Sequence, residues 1–538
     1  MMDLTGIESA SGLSAADKAV LGQLIDVHNG VSGRNAELSQ YYEAEQPTPS
    51  IGIDNIPDTV QPGSRCDWAA KAVDSVAERV RLDGFTFAEG YEDAGLSRAM
   101  RDNGFRAAFN RHVSDELIHG CMFATVNRTG RGVALRMHTA QTSAAIWDES
   151  AQRIGAGFVL ADARRTPWSP YEPVPVQVNM HLPGRVVQIM RRDATRWKAV
   201  PAETPLDRPM MEAFCFRPTG VKRFGQTRIK KAVRYLVDEV ERTMRYMAVS
   251  NALYATPKDI LLGLTDKQFD AMAGSKWSTM VTSMFLATRD GQGNTPEYTR
   301  LASASPQPYI DAISMYAKMF SGVTGVPLNS LGVVQDNPSS AEAIMTSRED
   351  VCNAAEDCIE GNSEGLRQVA LMAMAVQAGR GFDALTEEQL SVMPNFKSPM
   401  TTSLAANADA MTKVAGVLEG FAQTREFLSG MGFASTEVES IKSQLDAGAN
   451  QRAILSIMGG SPNAAAPSAK QEEPKAGNDE AEVKGKALNG AQTQSLIAIM
   501  SQFSSGAITE GQAVNLISTA IGLSKADASA ILNGDMGD

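Results

Sequence analysis

Three sets of residues have types and spacings that suggest chemistry, and each has a plainer reading. Gly361-Asn-Ser-Glu-Gly365 matches G-x-S-x-G, the turn between a strand and a helix that exposes a nucleophilic serine. Ser363, however, falls inside a long helical pattern. The corresponding hydrolases place their histidine after the serine, whereas the last of the five histidines is His181. A hydrolase built on Ser363 is therefore a remote alternative. His112, Asp115 and His119 fall two turns apart on one helix face, but no further ligand joins them, so they read as an ordinary helix surface. His28, His138 and His181 have no partners at metal spacing. No G-x-x-x-x-G-K-[ST] is present to cradle a triphosphate, and Gly291-Gln-Gly293 suits a turn better than a nucleotide. Cys66, Cys121, Cys215, Cys352 and Cys358 include no CxxC pair, and they read as small buried hydrophobes. The expectation is no catalytic, cofactor-binding or metal residue, and no enzyme.

The elements that would position a functional surface are clearer. Residues 1–40 read as a polar, partly helical lead-in, and Gln46 to Gly63, with four prolines, as a loop. Cys66 to Leu82 is an amphipathic helix with Ala69, Val73, Val76 and Val80 on one face and Ser64 as N-cap. A further helix spans about Ala107 to Leu117. Alternation then predicts strands at Met122–Val126, Val133–His138, Ala144–Asp148, Gly157–Leu160, Val174–Met180 and Val186–Arg191. This is an α+β region with antiparallel sheet.

After Gly225 the period becomes helical. Ile229, Val233, Leu236, Val237, Val240 and Met244 predict a helix over about 226–253, stopped by Pro257. Its other face carries Arg228, Lys230, Lys231, Arg234, Arg242 and Arg245, either a solvated charge run or a surface for phosphates or a neighbour's acidic residues. The stretch 258–305 is turn-rich, with Asp290-Gly-Gln-Gly-Asn294 as a hairpin or exposed loop. A second helix over about Gln307–Val323 puts Ile310, Ile313, Tyr316, Met319 and Phe320 on one side. Ser339 and Glu342 form a capping box that starts another long helix, with Gly361 and Gly365 as points where it kinks. Helical segments continue over 403–457. A linker rich in Ala, Pro, Lys and Glu follows at 460–488, then a small helical module.

A net charge of −12 argues against a protein that grips nucleic acid over a broad surface, though not against a channel through which DNA must slide without sticking. No window holds the roughly 18 uninterrupted apolar residues of a membrane span, and the opening MMDLTGIESASG has no secretory pattern. A protein made and kept in the cytosol, without a membrane, is expected.

Several stretches resemble the portal proteins of tailed bacteriophages, or head–tail connectors, in the branch common in phages of actinobacteria. They are Tyr41-Tyr42 before the Pro-rich loop, Trp68-Ala-Ala-Lys-Ala-Val-Asp-Ser-Val-Ala-Glu-Arg-Val80 with Asp83-Gly-Phe85, and Phe224-Gly-Gln-Thr-Arg-Ile229. Asn251-Ala-Leu-Tyr-Ala-Thr-Pro257 follows, then Thr324-Gly-Val-Pro-Leu-Asn-Ser-Leu-Gly332 with Asn337-Pro-Ser-Ser-Ala-Glu-Ala-Ile344. Leu488-Asn-Gly-Ala-Gln492 is similar to a tail seen on some portals. Order and spacing across residues 40–460 carry the resemblance. Glu43-Ala44 departs from the glycine that usually follows the tyrosines.

The resemblance implies an α+β, mainly helical portal fold, assembled as a ring generally of twelve subunits, with a flexible C-terminal tail. It implies a lead-in (1–40), wing (41–222), first stem helix (223–256), clip (257–305), second stem helix (306–324) and tunnel loop (325–338). After these come a long helix and return (339–400), crown (401–459), linker (460–488) and C-terminal module (489–538). The implied role is a channel at one capsid vertex for packaging, retaining and ejecting DNA. Implied partners are copies of the chain, double-stranded DNA held without sequence preference, the terminase large subunit, the head–tail adaptor, the major capsid protein and scaffold. Another head–tail or tail structural protein is the alternative. The tunnel loop would present Leu328, Asn329, Val333, Val334, Gln335, Asp336 and Asn337 to the duplex. The stem's basic face would be Lys230, Lys231, Arg234, Arg242 and Arg245. Because these loop residues are mostly uncharged, they would touch DNA without strong phosphate attraction. Gln335→Lys or Asp336→Lys is therefore expected to slow or block packaging, measured as DNA-filled heads per infected cell; normal packaging would remove the loop assignment.

Overall fold

The computed structural model describes residues 3–48, 64–88, 91–130, 132–254, 258–262, 297–301, 305–333, 347–400, 404–418, 420–432, 438, 440–444, 509–521 and 529. The chain divides into two compact units, Met1–Leu418 and Glu419–Asp538. In chain order the first contains α1 (Ala15–Tyr42), α2 (Trp68–Ala77), β1 (Leu82–Thr86), α3 (Ala94–Asp102), α4 (Phe105–His119) and β2 (Cys121–Thr129). There follow β3 (Gly132–Thr139), β4 (Ser143–Asp148), β5 (Arg153–Thr166), β6 (Ser169–Leu182), β7 (Arg185–Arg191), β8 (Trp197–Glu203) and β9 (Met211–Cys215). Then come α5 (Lys231–Tyr254), β10 (Lys258–Leu262), β11 (Glu297–Leu301), α6 (Gln307–Thr324), α7 (Glu349–Ala378) and β12 (Met393–Phe396), before a helix at Leu404–Val417. In the second unit, helices occupy Arg425–Gly430 and Glu510–Ile521.

Two antiparallel sheets organise the first unit, one in the order β3-β2-β9 and one in the order β4-β5-β6-β7-β8. Alternation sorts their side chains between layers. Ala144, Ala156, Phe158, Met180 and Ile189 meet Leu21, Leu24 and Ile25 of α1 on one face of the larger sheet. Ala145, Ile154 and Val159 meet Cys121, Phe123 and Met211 between the sheets. Met122, Ala124 and Phe214 face a third core with α2, α4 and α7. Strand β2 is covered on both faces, so residues 121–126 are all buried, as a central strand requires.

The expected strands are present and longer than the sequence pattern indicated; β8 and β9 extend the two sheets beyond it, and β1 and β12 pair with each other as a separate two-stranded sheet. The N-terminal lead-in is corrected: α1 has 28 residues and is a structural layer. Ser14 caps it by accepting from Asp17 N at 3.1 Å. Two of its polar side chains are buried because they serve the β3–β4 turn. His28 Nε2 lies 3.0 Å from the Gln141 carbonyl, and Asn35 Nδ2 donates to the Ala140 carbonyl at 3.3 Å. The N-cap of α2 is Asp67 rather than Ser64, and the helix stops at Ala77 because the chain must turn into β1.

The expected kinks at Gly361 and Gly365 are replaced by one continuous 30-residue helix. Both glycines let α7 lie close on β9. A Cβ at Gly365 would stand 3.0 Å from the Phe214 ring, and one at Gly361 would stand 3.3 Å from the Cys215 carbonyl oxygen. Ser363 is mid-helix with its hydroxyl donating to the Ile359 carbonyl at 2.6 Å, which removes the elbow geometry. The Asp290–Asn294 turn, the Ser339–Glu342 capping box and the 460–488 linker lie outside the described residues.

One buried carboxyl crosses this packing. Glu116 on α4 is fully buried and accepts from Asn362 Nδ2 of α7 at 2.7 Å, with Cys358 Sγ at 3.6 Å. Burial pushes its pKa up to about 8, so it is protonated at neutral pH and the contact is a neutral hydrogen bond rather than a buried charge. The folded value is raised above the unfolded 4.5, so the stability it contributes is full below 4.5 and lost as pH rises through about 8. Glu116→Gln keeps the acceptor without the titration. Between about pH 5 and pH 8 the wild-type urea midpoint should fall relative to this variant; parallel midpoints would exclude a raised Glu116 pKa.

Candidate functional site

The surface with the most built-in direction is the antiparallel pair α5 and α6. At 1.5 Å per residue, their 24 and 18 residues give rods of roughly 36 and 27 Å. At the far end, β10 and β11 pair antiparallel from Lys258↔Leu301 to Leu262↔Glu297. At the root, α5 starts five residues later than the period suggested. Residues 226–228 instead bond to neighbouring elements: Gln226 N donates to the Phe216 carbonyl and Arg228 N to the Leu117 carbonyl, each at 2.8 Å. Gly225, at φ +70°, permits this, since a Cβ there would stand 2.2 Å from the Gly120 carbonyl oxygen.

Arg228, expected on the basic face, is buried instead. Its guanidinium donates to the carbonyls of Ala72 on α2 and Thr324 at the end of α6, both at 2.7 Å. Burial lowers its pKa to about 10, which leaves it charged at neutral pH. Around it, Trp68 packs against Phe320 with ring centroids 5.3 Å apart, and Ile229, Val233, Leu236, Val237 and Val240 enter the third core. Higher on α5, Asp238 accepts from the Tyr41 hydroxyl at 3.0 Å, and Glu241 accepts from Gln46 Nε2 at 2.9 Å and Cys66 N at 3.0 Å. These polar contacts fix the rotation of α5 against α1 and the segment before α2.

The expected basic face is accordingly divided. Lys230 and Lys231 are exposed. Arg234 pairs with Glu37 and lies 5.9 Å from the Tyr41 ring centroid. Arg242 pairs with Glu239 at 2.5 Å, and Arg245 is also engaged within the chain. A row of six free cations is therefore not what the fold presents; spacing alone could not reveal that Glu37 of α1 pairs with Arg234.

The apolar side of α6 is likewise divided. Ala317 and Phe320 are buried and Ile313 and Tyr316 pack beside them, but Met315, Met319 and Val323 are each about half exposed. At i, i+4 and i+8 these three form one stripe along α6. Tyr235 of α5, 58% exposed, is a further large side chain left open to solvent.

After α6, Gly325 closes the helix at φ +74°, and Leu328–Leu331 forms a 3₁₀ turn where an irregular loop was expected. Val326 and Leu331 are buried, and Leu328 and Val333 pack against the core, so these two expected channel residues serve first as anchors. Asn329 is exposed. Val334, Gln335, Asp336 and Asn337 lie outside the described residues. Of the titratable groups considered earlier, His119 is buried with Nε2 3.0 Å from Ser39 Oγ and Nδ1 3.1 Å from the Asp115 carbonyl, and burial lowers its pKa to about 4. No metal-binding cluster occurs among the described residues.

Comparison with known proteins matches residues 219–451, which include α5, α6 and α7, to the family described as Phage portal protein, SPP1 Gp6-like. The portal protein of Mycobacterium phage L5 is 23% identical over 441 residues, covering 78% of this chain and 86% of that one. The portal protein of Mycobacterium phage D29 is also 23% identical over 425 residues, covering 75% and 83%. Among solved structures, a chain from the neck of a native gene transfer agent particle is 14% identical, with a TM-score of 0.38, covering 74% of this chain and 93% of that one. Over residues 219–451 the chain is thus similar to the SPP1 Gp6-like phage portal proteins, and over most of its length to the portal proteins of two mycobacteriophages.

Proposed function

We propose that copies of this portal protein, generally twelve in the family, close into a ring at one capsid vertex, with α5 and α6 as the stem around a DNA channel. The β10–β11 end is the clip that meets the terminase large subunit during packaging and the head–tail adaptor afterwards. The layered sheets with α1–α4 and α7 form the wing, next to capsid protein and scaffold. The segment after Gly325 turns toward the channel, with Asn329 at its exposed edge. DNA passes without sequence recognition, because a chain with 62 acidic and 50 basic residues has no excess of cations to hold it. The role is structural, and Ser363, with its hydroxyl on a helix carbonyl, supports no hydrolase reading.

The stripe of Met315, Met319 and Val323 carries this reading. One half-exposed methionine is ordinary, whereas three large apolar side chains in line on a rod otherwise packed by its opposite face mark a protein interface. A closed ring is built from head-to-tail contacts, so the stripe meets a different surface on the next copy, and burying it there removes that area from water.

Met319→Glu puts a charge into each such interface while leaving the buried face of α6 intact. The variant should remain folded by circular dichroism and shift from ring to monomer in light scattering, with rings lost from electron micrographs. Unchanged rings would show that this stripe is not the subunit contact.

A further inference from the structure

Strands β2 and β9 bring two thiols to one rung. Cys121 and Cys215 are direct partners in the antiparallel register. Phe216 N donates to the Gly120 carbonyl at 3.0 Å and Val126 N to the Met210 carbonyl at 3.1 Å. Those bonds make 120/216 and 126/210 the hydrogen-bonded pairs, so by alternation Cys121/Cys215 is a non-hydrogen-bonded pair. In such pairs the side chains share a face and the Cα atoms stand about 4.5 Å apart. A disulfide spans roughly 4.4–6.8 Å between Cα atoms. Both residues belong to the apolar layer between the two sheets, with Phe123 and Met211.

Both thiols are free, and they differ in access: Cys121 is 7% exposed, Cys215 half-buried. The other cysteines are placed differently. Cys358 lies in the third core against Glu116, Cys352 Sγ faces the Pro399 carbonyl, and Cys66 precedes α2. No other two cysteines face each other in the described strand registers.

We propose that Cys121 and Cys215 are a site of oxidative cross-linking, forming an intrachain disulfide when the protein meets a small-molecule disulfide such as oxidised glutathione. The deprotonated sulfur of Cys215 attacks one glutathione sulfur, breaking its S–S bond and releasing one glutathione thiolate. The sulfur of Cys121, deprotonated in turn, displaces the second glutathione from the mixed disulfide. Two protein thiols are oxidised, one disulfide is reduced to two thiols, and the two protons end on the departing glutathiones. Burial pushes the Cys121 thiol up to about 12 and raises Cys215 as well, so exchange is slow while the strands stay closed. β9 is an edge of its sheet, so its fraying is the event that admits the oxidant. The cross-link would fasten the strand from which the chain turns into α5. It stands on register alone and is independent of ring formation.

The test is peptide mapping of the purified full chain after long incubation with oxidised glutathione or with dithiothreitol, all free thiols being alkylated in denaturant. After oxidation most chains should yield the Cys121 peptide joined to the Cys215 peptide, with Cys66, Cys352 and Cys358 alkylated. In Cys121→Ser the joined pair should vanish and glutathione should remain on Cys215. Recovery of both peptides alkylated from wild type, or of a Cys352–Cys358 or interchain link in place of this one, would overturn the proposal.

Discussion

A guanidinium buried without a carboxylate partner costs stability unless its donors are filled, and Arg228 fills them with backbone carbonyls from two helices. The Thr324 carbonyl is one of those left without an intrahelical partner at the end of α6, where the helix dipole also favours a cation. The Ala72 carbonyl belongs to α2, and the Arg228 backbone N–H bonds to α4. One residue thus joins the root of α5, the end of α6 and two helices of the layered base. A force applied along the α5–α6 pair reaches the base through this point and through the packing of Trp68 on Phe320.

Much of the architecture was legible because hydrophobic period reports burial on one face. The six strands with clean alternation were identified, and so were α5 and α6. The N-terminal layer was missed because α1 buries His28 and Asn35 along with its leucines; their partners are carbonyls of the β3–β4 turn, which no local pattern reveals. Strand β8 buries only Trp197 and Ala199, so it shows little alternation, and five-residue β9 pairs with β2, a neighbour distant in sequence. Glycines misled in α7 because a helix-weakening residue and a close-packing residue look identical until the sheet beneath is known.

The site shows the same limit. Period placed Arg228 with Lys230 and Lys231, but tertiary contacts separate them: one caps a helix end inside the base, and the others remain in water. Arg234 and Arg242 have acidic partners within the chain, so the surface left for a neighbour or for DNA is less basic than the sequence suggests. Conversely, Met319 was grouped with the buried side of α6, and only the position of α5 reveals that Met315, Met319 and Val323 face away from it. Sequence could show that α6 is apolar on more than one face, not which face another copy would cover.

Hydrogen–deuterium exchange of Arg228→Met tests most directly whether this residue roots the helix pair. Removing the guanidinium leaves the Thr324 carbonyl, at the end of α6, short of a donor in a buried site at a cost of about 1–3 kcal/mol, whereas the Ala72 carbonyl keeps the Ser75 hydroxyl. Amides of residues 228–237 and 317–326 should then exchange at least about tenfold faster, while those of β5, β6 and β7 keep their protection. Equal protection of the two helix roots in variant and wild type would contradict the account.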